Sequence, residues 1–360
     1  MTDNLAMTNI RTVDRLEVLV VVDNVTDSLS TNPNNVQTEW AGLLQSGRMQ
    51  VLSGKATCCA HHGLSLLITA YIGSDKRTLL FDAGPEGATF LRNVKILGVD
   101  LSEVEAVVLS HGHWDHAGGL VSAIEEISKG ERDAATERSG ERGDPVTERR
   151  SKRGGELSSR GKVVECYVHP GMFAERALQK PGGEVLRFEL VPNVDELTQA
   201  GARVVNTEEP QFIADGAFYL SGEIPRRTSY ETGFPGHVRR ASDGEGWEPD
   251  PLILDERFIS VHVKDKGQVV FSAWSHAGLV NVLAQARSVF PEVALHGVIG
   301  GLHLSGATEK IIPQTVADLR QFELQLIAPG HCTGWRALNA MSTVFGYELV
   351  PLAVGKQFSV

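Results

Sequence analysis

The chain has 360 residues, 42% of them hydrophobic and 22% charged, with a formal net charge of −11. An acidic balance argues against a nucleic-acid backbone as the main partner, and the apolar run 16–22 is far too short to span a bilayer. Four cysteines, two of them adjacent (Cys58 and Cys59), do not make a disulfide framework, and the polar stretch 1–14 lacks the apolar core of a signal peptide. The expectation is a reduced, cytoplasmic protein with no nucleic-acid or membrane partner.

In chain order, Leu16–Asp23 is rich in β-branched residues and reads as a strand. Residues 26–55 are polar and turn-rich and read as a long loop. Leu64–Ile72 and Arg77–Phe81, joined at Gly73-Ser74-Asp75, read as a hairpin that ends at Asp82-Ala83-Gly84. A helix is expected over Gly87–Leu97, a strand over Val104–Leu109 and a helix from His116 to Ile127. Ser128–Lys162 has almost no large apolar residue and cannot offset its ordering entropy by burial, so it reads as an exposed, disordered insertion. Strands are then expected over Val163–Val168, Glu184–Leu190, Ala202–Val205, Ala217–Leu220, Ile259–Lys264, Gln268–Phe271, Leu295–Ile299 and Leu324–Ile327. Two further helices span Leu279–Val289 and Ile311–Phe322. One domain over 1–360 accommodates all of this.

The most informative stretch is His111-Gly112-His113-Trp114-Asp115-His116, directly after an apolar strand. In extended backbone, side chains at i and i+2 point the same way, so His111 and His113 converge on one point. Asp115 and His116 fall where the chain turns into a helix, facing a second point beside the first. Imidazole and carboxylate donors in this mix suit zinc or another first-row divalent metal. His169, His276, His303 and His331 each follow a short apolar run as well. Strand ends on one rim of a layered fold bring such residues together across long sequence gaps.

With these segments in hand, the chain resembles the metallo-β-lactamase superfamily, whose motif is H-x-H-x-D-H. More narrowly, it resembles the branch of 7,8-dihydropterin-6-yl-methyl-4-(β-D-ribofuranosyl)aminobenzene 5'-phosphate synthase. The likeness rests on VLVVVDN (18–24), HHGLSLLI (61–68), LLFDAG (79–84), LSHGHWDHAGGL (109–120), YVHPGMF (167–173), SGEIPR (221–226), FSAWSHAGLVN (271–281), VIGGLHL (298–304) and APGHCTG (328–334). The resemblance implies an α/β protein with a four-layer αββα sandwich and two divalent metal ions, zinc first, with manganese or iron as alternatives. It implies that His111, His113 and His169 hold one ion, and Asp115, His116 and His331 the other. Where many members carry a bridging aspartate, this chain reads Ala273-Trp274-Ser275-His276. Either His276 replaces the carboxylate as a ligand, or the second position is weak.

Asp115 and His276 are thus candidate catalytic as well as metal-binding residues, and His303 is a candidate for substrate or proton handling, with a structural role as the alternative. Asp82 is expected to orient a ligand loop rather than to bind metal. Candidates for substrate binding are Glu223, Arg226 and Arg227, since guanidinium groups suit phosphate or carboxylate, together with His62. Asp23-Asn24 is a further candidate to reach the site. His237, His262 and His296 fit no pattern and read as structural or surface residues.

The first reading of function is a metal-dependent hydrolase acting on a small anionic or phosphorylated molecule. No G-x-S-x-G motif suggests a serine nucleophile. The resemblance implies a second reading, a transferase that condenses a dihydropterin-methyl diphosphate with an arylamine. An iron-dependent oxygen-handling protein and a non-catalytic binding protein are the remaining alternatives.

Overall fold

The computed structural model describes residues 10–139 and 161–360. Two mixed sheets face each other. In spatial order, the first contains Ala202–Asn206, Val164–Val168, Val104–Val108, Asp75–Phe81, Ser65–Ile72, Arg15–Val22, Gln357–Ser359 and Val36–Gln37. The second runs Gln211–Ile213, Phe218–Leu220, Ile259–Val263, Gly267–Ser272, Leu295–Gly301 and Leu326–Gly330, with Thr12–Val13 paired to Ile259–Val263.

Period-two alternation in the strands builds the layers. Phe81, Val108 and Tyr167 lie in register and face the core between the sheets, where they meet Val269, Phe271, Ile299 and Ala328. Leu80, Val107 and Cys166, one residue back, face outward onto Phe90, Ile124 and Leu197 of the helices Gly87–Leu97, Leu120–Ser139 and Val194–Ala200. On the second sheet, Val270, Val298 and Ile327 turn outward onto the helices Leu279–Val289, Ile312–Leu319 and Trp335–Phe345. The result is the expected order helix, sheet, sheet, helix.

Three differences from the sequence reading have local causes. The loop expected over 26–55 contains a short helix, Glu39–Gln45, whose Thr38 side chain accepts from Ala41 N–H at its start. Leu120–Ser139 continues as helix into the stretch expected to be disordered, because 128–139 is rich in the helix formers Glu, Arg and Ala. The insertion's remaining residues 140–160 lie outside the described residues. Finally, a small accessory sheet of Trp247–Pro249, His237–Arg240, Arg176–Gln179 and Val185–Arg187 packs beside the sandwich. Of its strands only Val185–Arg187 falls within an expected one, Glu184–Leu190, and the others are three or four residues long, too short to show a period.

Candidate metal centre

Asp75–Phe81, Val104–Val108 and Val164–Val168 are parallel to one another, and so are Gly267–Ser272, Leu295–Gly301 and Leu326–Gly330. Their C-terminal ends therefore deliver Asp82, His111, Ser275, His303 and His331 to a shared rim. Four of these ends turn sharply: Asp82, Ser275, His303 and His331 have φ of 60°, 60°, 46° and 48°. Non-glycine residues avoid this left-handed region, and such strain concentrates where the surroundings enforce a functional geometry.

The hydrogen bonds around His111 and His113 fix their tautomers. Ser110 Oγ donates to the Asp82 carboxylate at 2.7 Å, which uses its one proton, so at 2.9 Å it accepts from His111 Nδ1–H. His111 Nε2 is left with a lone pair. At 2.7 Å, His237 Nδ1–H donates to the Asp250 carbonyl, so His237 Nε2 accepts from His113 Nε2–H at 3.0 Å. His113 Nδ1 is then a lone pair as well, and it lies 3.0 Å from His111 Nε2. Two buried lone pairs at that separation repel unless a cation binds both. Two nitrogens each about 2.0–2.1 Å from one zinc stand roughly 3 Å apart. His276 completes this group, with donor atoms of all three within 4.8 Å of one another. Its ring stacks on Trp274 (5.0 Å, 10°) and Phe234 (5.6 Å, 14°).

The second group gathers on Asp115. Its Oδ2 lies 3.2 Å from His331 Nε2, 3.5 Å from His62 Nε2 and 3.8 Å from His116 Nε2. His116 Nδ1–H donates to Asp82 Oδ2 at 2.6 Å, which orients the ring with Nε2 toward Asp115. Burial alone would raise the Asp115 pKa, but the His116 and His331 imidazoles hold it below the ordinary carboxylate value. His331 is held through its backbone. Its N–H donates to Asp23 Oδ1 at 2.7 Å, and its carbonyl accepts from Asn24 Nδ2 at 3.0 Å. The two groups abut, with the His111 and His116 rings 4.4 Å apart between centroids.

The donor set therefore fits divalent metal. Among the described residues, seven of the fourteen buried polar side-chain atoms without a hydrogen-bond partner belong to Asp115, His116, His276, His303 and His331. Buried imidazole and carboxylate atoms are normally satisfied, and a concentration of orphans at one spot marks an ion site.

Several expectations need correction. His169 does not join His111 and His113. Its Nδ1 instead accepts from Gly171 N–H at 3.0 Å and caps the turn Pro170–Phe173, and His276 takes the third place. His62, expected on substrate, stands beside Asp115 as a candidate ligand while also lining the cavity. Arg226 and Arg227 do not reach the cavity. The Arg226 guanidinium donates to the Ile224 and Leu252 carbonyls, and Arg227 Nη2 donates to Gln285 at 3.0 Å on the outer helix. Glu223 is exposed and also absent from the cavity wall. His303 accepts from the Trp274 indole N–H at Nδ1, so its Nε2 carries the proton and is a donor, not a ligand. Burial, with His331 nearby, pushes the His303 pKa down to about 3, so the ring is neutral.

Sequence reasoning missed His237, which contacts His113, and the rings of Trp114, Phe188 and Phe234 that line the cavity over the metal groups. No local signal marks His237, Phe188 and Phe234, each a lone residue outside any ligand spacing, and Trp114 lies within the motif but at a position that carries no ligand atom.

The metallo-beta-lactamase superfamily model matches residues 62–202. The chain is 26% identical over 302 residues, 82% of its length and 89% of the relative's, to 7,8-dihydropterin-6-methyl-4-(beta-D-ribofuranosyl)-aminobenzene-5'-phosphate synthase of Methanocaldococcus jannaschii. An uncharacterized protein of the same organism is also 26% identical, over 82% of this chain and 94% of its own. In structure, the chain is similar to a metal-dependent hydrolase of the beta-lactamase superfamily, with a TM-score of 0.65 and 20% identity over 96% of this chain and 99% of that one. Sequence motif, αββα layering and the rim of converging side chains agree with these likenesses, and over residues 62–202 the chain is similar to the metallo-beta-lactamase superfamily.

Proposed function

We propose that the chain is a dinuclear metal-dependent enzyme of hydrolase type acting on a small, anionic, ring-bearing molecule. The observation that carries this reading is the pair of facing lone pairs on His111 and His113 beside a carboxylate ringed by imidazoles. His111, His113 and His276 would hold one ion, and Asp115, His116 and His331, with His62, the other. When bound, such ions supply Lewis acidity toward anionic oxygen and acidify water. Zinc suits the donors, and manganese or iron are the alternatives.

The chain's own groups do the rest. Ionised Asp115 orients a nucleophilic water by accepting its hydrogen bond. His303 Nε2–H offers a neutral donor beside His276, whose ring lies 4.6 Å away. Trp114, Phe188, Phe234 and Trp274 give the cavity apolar walls that cover a ring and exclude water. Among the described residues lining this cavity there is no lysine or arginine, so the substrate's negative charge is met at the metal groups.

The aromatic walls also favour a second reading, transfer of a ring-bearing methyl group from diphosphate to an arylamine. The synthase from M. jannaschii, whose name describes a dihydropterin joined to an aminobenzene, supports it. The test is to assay metal-replete protein on a phosphoester, a lactone and a dihydropterin-methyl diphosphate, the last with and without an arylamine. Product formed with water alone supports hydrolysis, and diphosphate release that requires the amine supports transfer. Metal content is measured beside it. About one equivalent of iron in place of two of zinc or manganese, with no turnover, would overturn both.

A further inference from the structure

At the H-x-H segment the accessory sheet meets the metal centre through buried Arg176 and His237, joined by buried Asp255 from the loop that follows the sheet. Gly112 N–H donates to Asp255 Oδ2 at 2.9 Å, and the Gly112 carbonyl accepts from Arg176 Nη1 at 3.0 Å. Arg176 and Asp255 are themselves a buried ion pair. The peptide groups between His111 and His113 are thus gripped on both sides. A Cβ at position 112 would come within 2.2 Å of the Met172 carbonyl and 2.6 Å of Arg176, so only glycine fits the grip. His237, paired with Leu178 across the same sheet, then meets His113 itself.

We propose that His237 is a positioning residue that fixes the Nε2–H tautomer of His113, and that the accessory sheet thereby sets the affinity of the first metal position. The Asp250 carbonyl is an acceptor only, so it fixes the proton of His237 on Nδ1. His237 Nε2 can then only accept, which places the His113 proton on Nε2 and aims the Nδ1 lone pair at the point shared with His111. In metal sites generally, the partner on a ligand's far nitrogen orients the ring, and losing it costs about 10–100-fold in affinity. Here the partner is supplied 124 residues away in sequence.

The inference rests on the metal-binding reading, and the experiment separates the two. Zinc stoichiometry and affinity are measured by competition with a chromophoric chelator on the full chain, for wild type, His237→Leu and His237→Gln. Leucine removes the acceptor, whereas the glutamine carbonyl oxygen can replace it. The expected result is a loss of about 10–100-fold at one position only in His237→Leu, largely restored in His237→Gln. A folded His237→Leu protein, shown by a cooperative melt, that binds both ions as wild type does would overturn the proposal. Should His237→Leu fail to fold, long-range proton–nitrogen correlation on the wild type decides, because a His113 ring protonated at Nδ1 overturns the proposal and one protonated at Nε2 supports it. Wild type that takes up no zinc overturns the metal reading itself, and this inference with it.

Discussion

The two halves of the metal centre are held to different degrees. On the first side, the far nitrogens of His111 and His113 have buried partners and the intervening glycine is gripped by an ion pair, while His276 is held by stacking between Trp274 and Phe234. On the Asp115–His331 side, His116 is fixed by Asp82, but both His331 ring nitrogens lack hydrogen-bond partners and its position comes from Asp23 and Asn24 on the backbone. His62 there is half exposed, with 49% of its side chain open to solvent. A ligand with a fixed tautomer is ready before the metal arrives, whereas rings set only through their backbone still choose their orientation. The first position should therefore bind tightly and the second should exchange. This comparison is one of pre-organisation, since both halves use the same ligand chemistry.

The sharpest way to break the comparison is His113→Ala. It should remove about one equivalent of metal and with it turnover; full activity in this variant would dismiss the metal-centred mechanism. Next is Arg176→Met, which leaves Asp255 buried without its cation. Uncompensated buried charge typically costs about 3–5 kcal/mol, so a large drop in melting temperature is expected, and an unchanged melt would show that the grip on Gly112 is not structural. The third is a pH effect on chelator-treated protein. Burial, followed by the neighbouring imidazoles and, at His113, first the Arg176 guanidinium, holds the pKa values of His111, His113 and His276 well below 6.5 in the fold. The unfolded chain takes up protons near 6.5 while the fold does not, so stability is full above that value and declines as pH falls below it. The metal-free protein should melt lower at pH 5.5 than at pH 7.5. Equal melts would mean that the cluster opens to solvent when metal is removed.

The layered fold was readable because its strands are apolar runs and its helices Gly87–Leu97 and Leu279–Val289 are cleanly bounded. The clustering of the H-x-H-x-D-H side chains was readable because they are contiguous and their spacing is itself the geometry. Which of the two further candidates, His169 or His276, joins His111 and His113 was not. His169 and His276 both follow strands, and only the packing of one sheet against the other brings His276 in while His169 turns to cap its own helical turn. His237 was unreadable for the same reason, since its role lies in a contact with a residue far away in sequence and its strand is four residues long. The arginines misled in the other direction. A pair of guanidinium groups near a polar motif suggests phosphate, yet here one donates to the carbonyls of Ile224 and Leu252 and the other to a glutamine on the outer helix.

Two smaller predictions test the exposed edges. His62→Ala should weaken the second metal position by about tenfold and leave the first untouched, read by zinc competition; equal weakening of both would erase the distinction between the halves. Arg227→Ala should do least. Its side chain contacts Gln285 and Ser288 on the helix surface, and it is absent from the cavity over the metals. Surface substitutions of this kind usually stay within about 0.5 kcal/mol, so neither stability nor KM for an anionic substrate should move measurably. A tenfold rise in KM with kcat unchanged would mean that the loop carrying Arg226 and Arg227 swings over the cavity when substrate binds. The substrate's charge would then be shared between the metals and this loop, and the open half of the centre would be the half that closes.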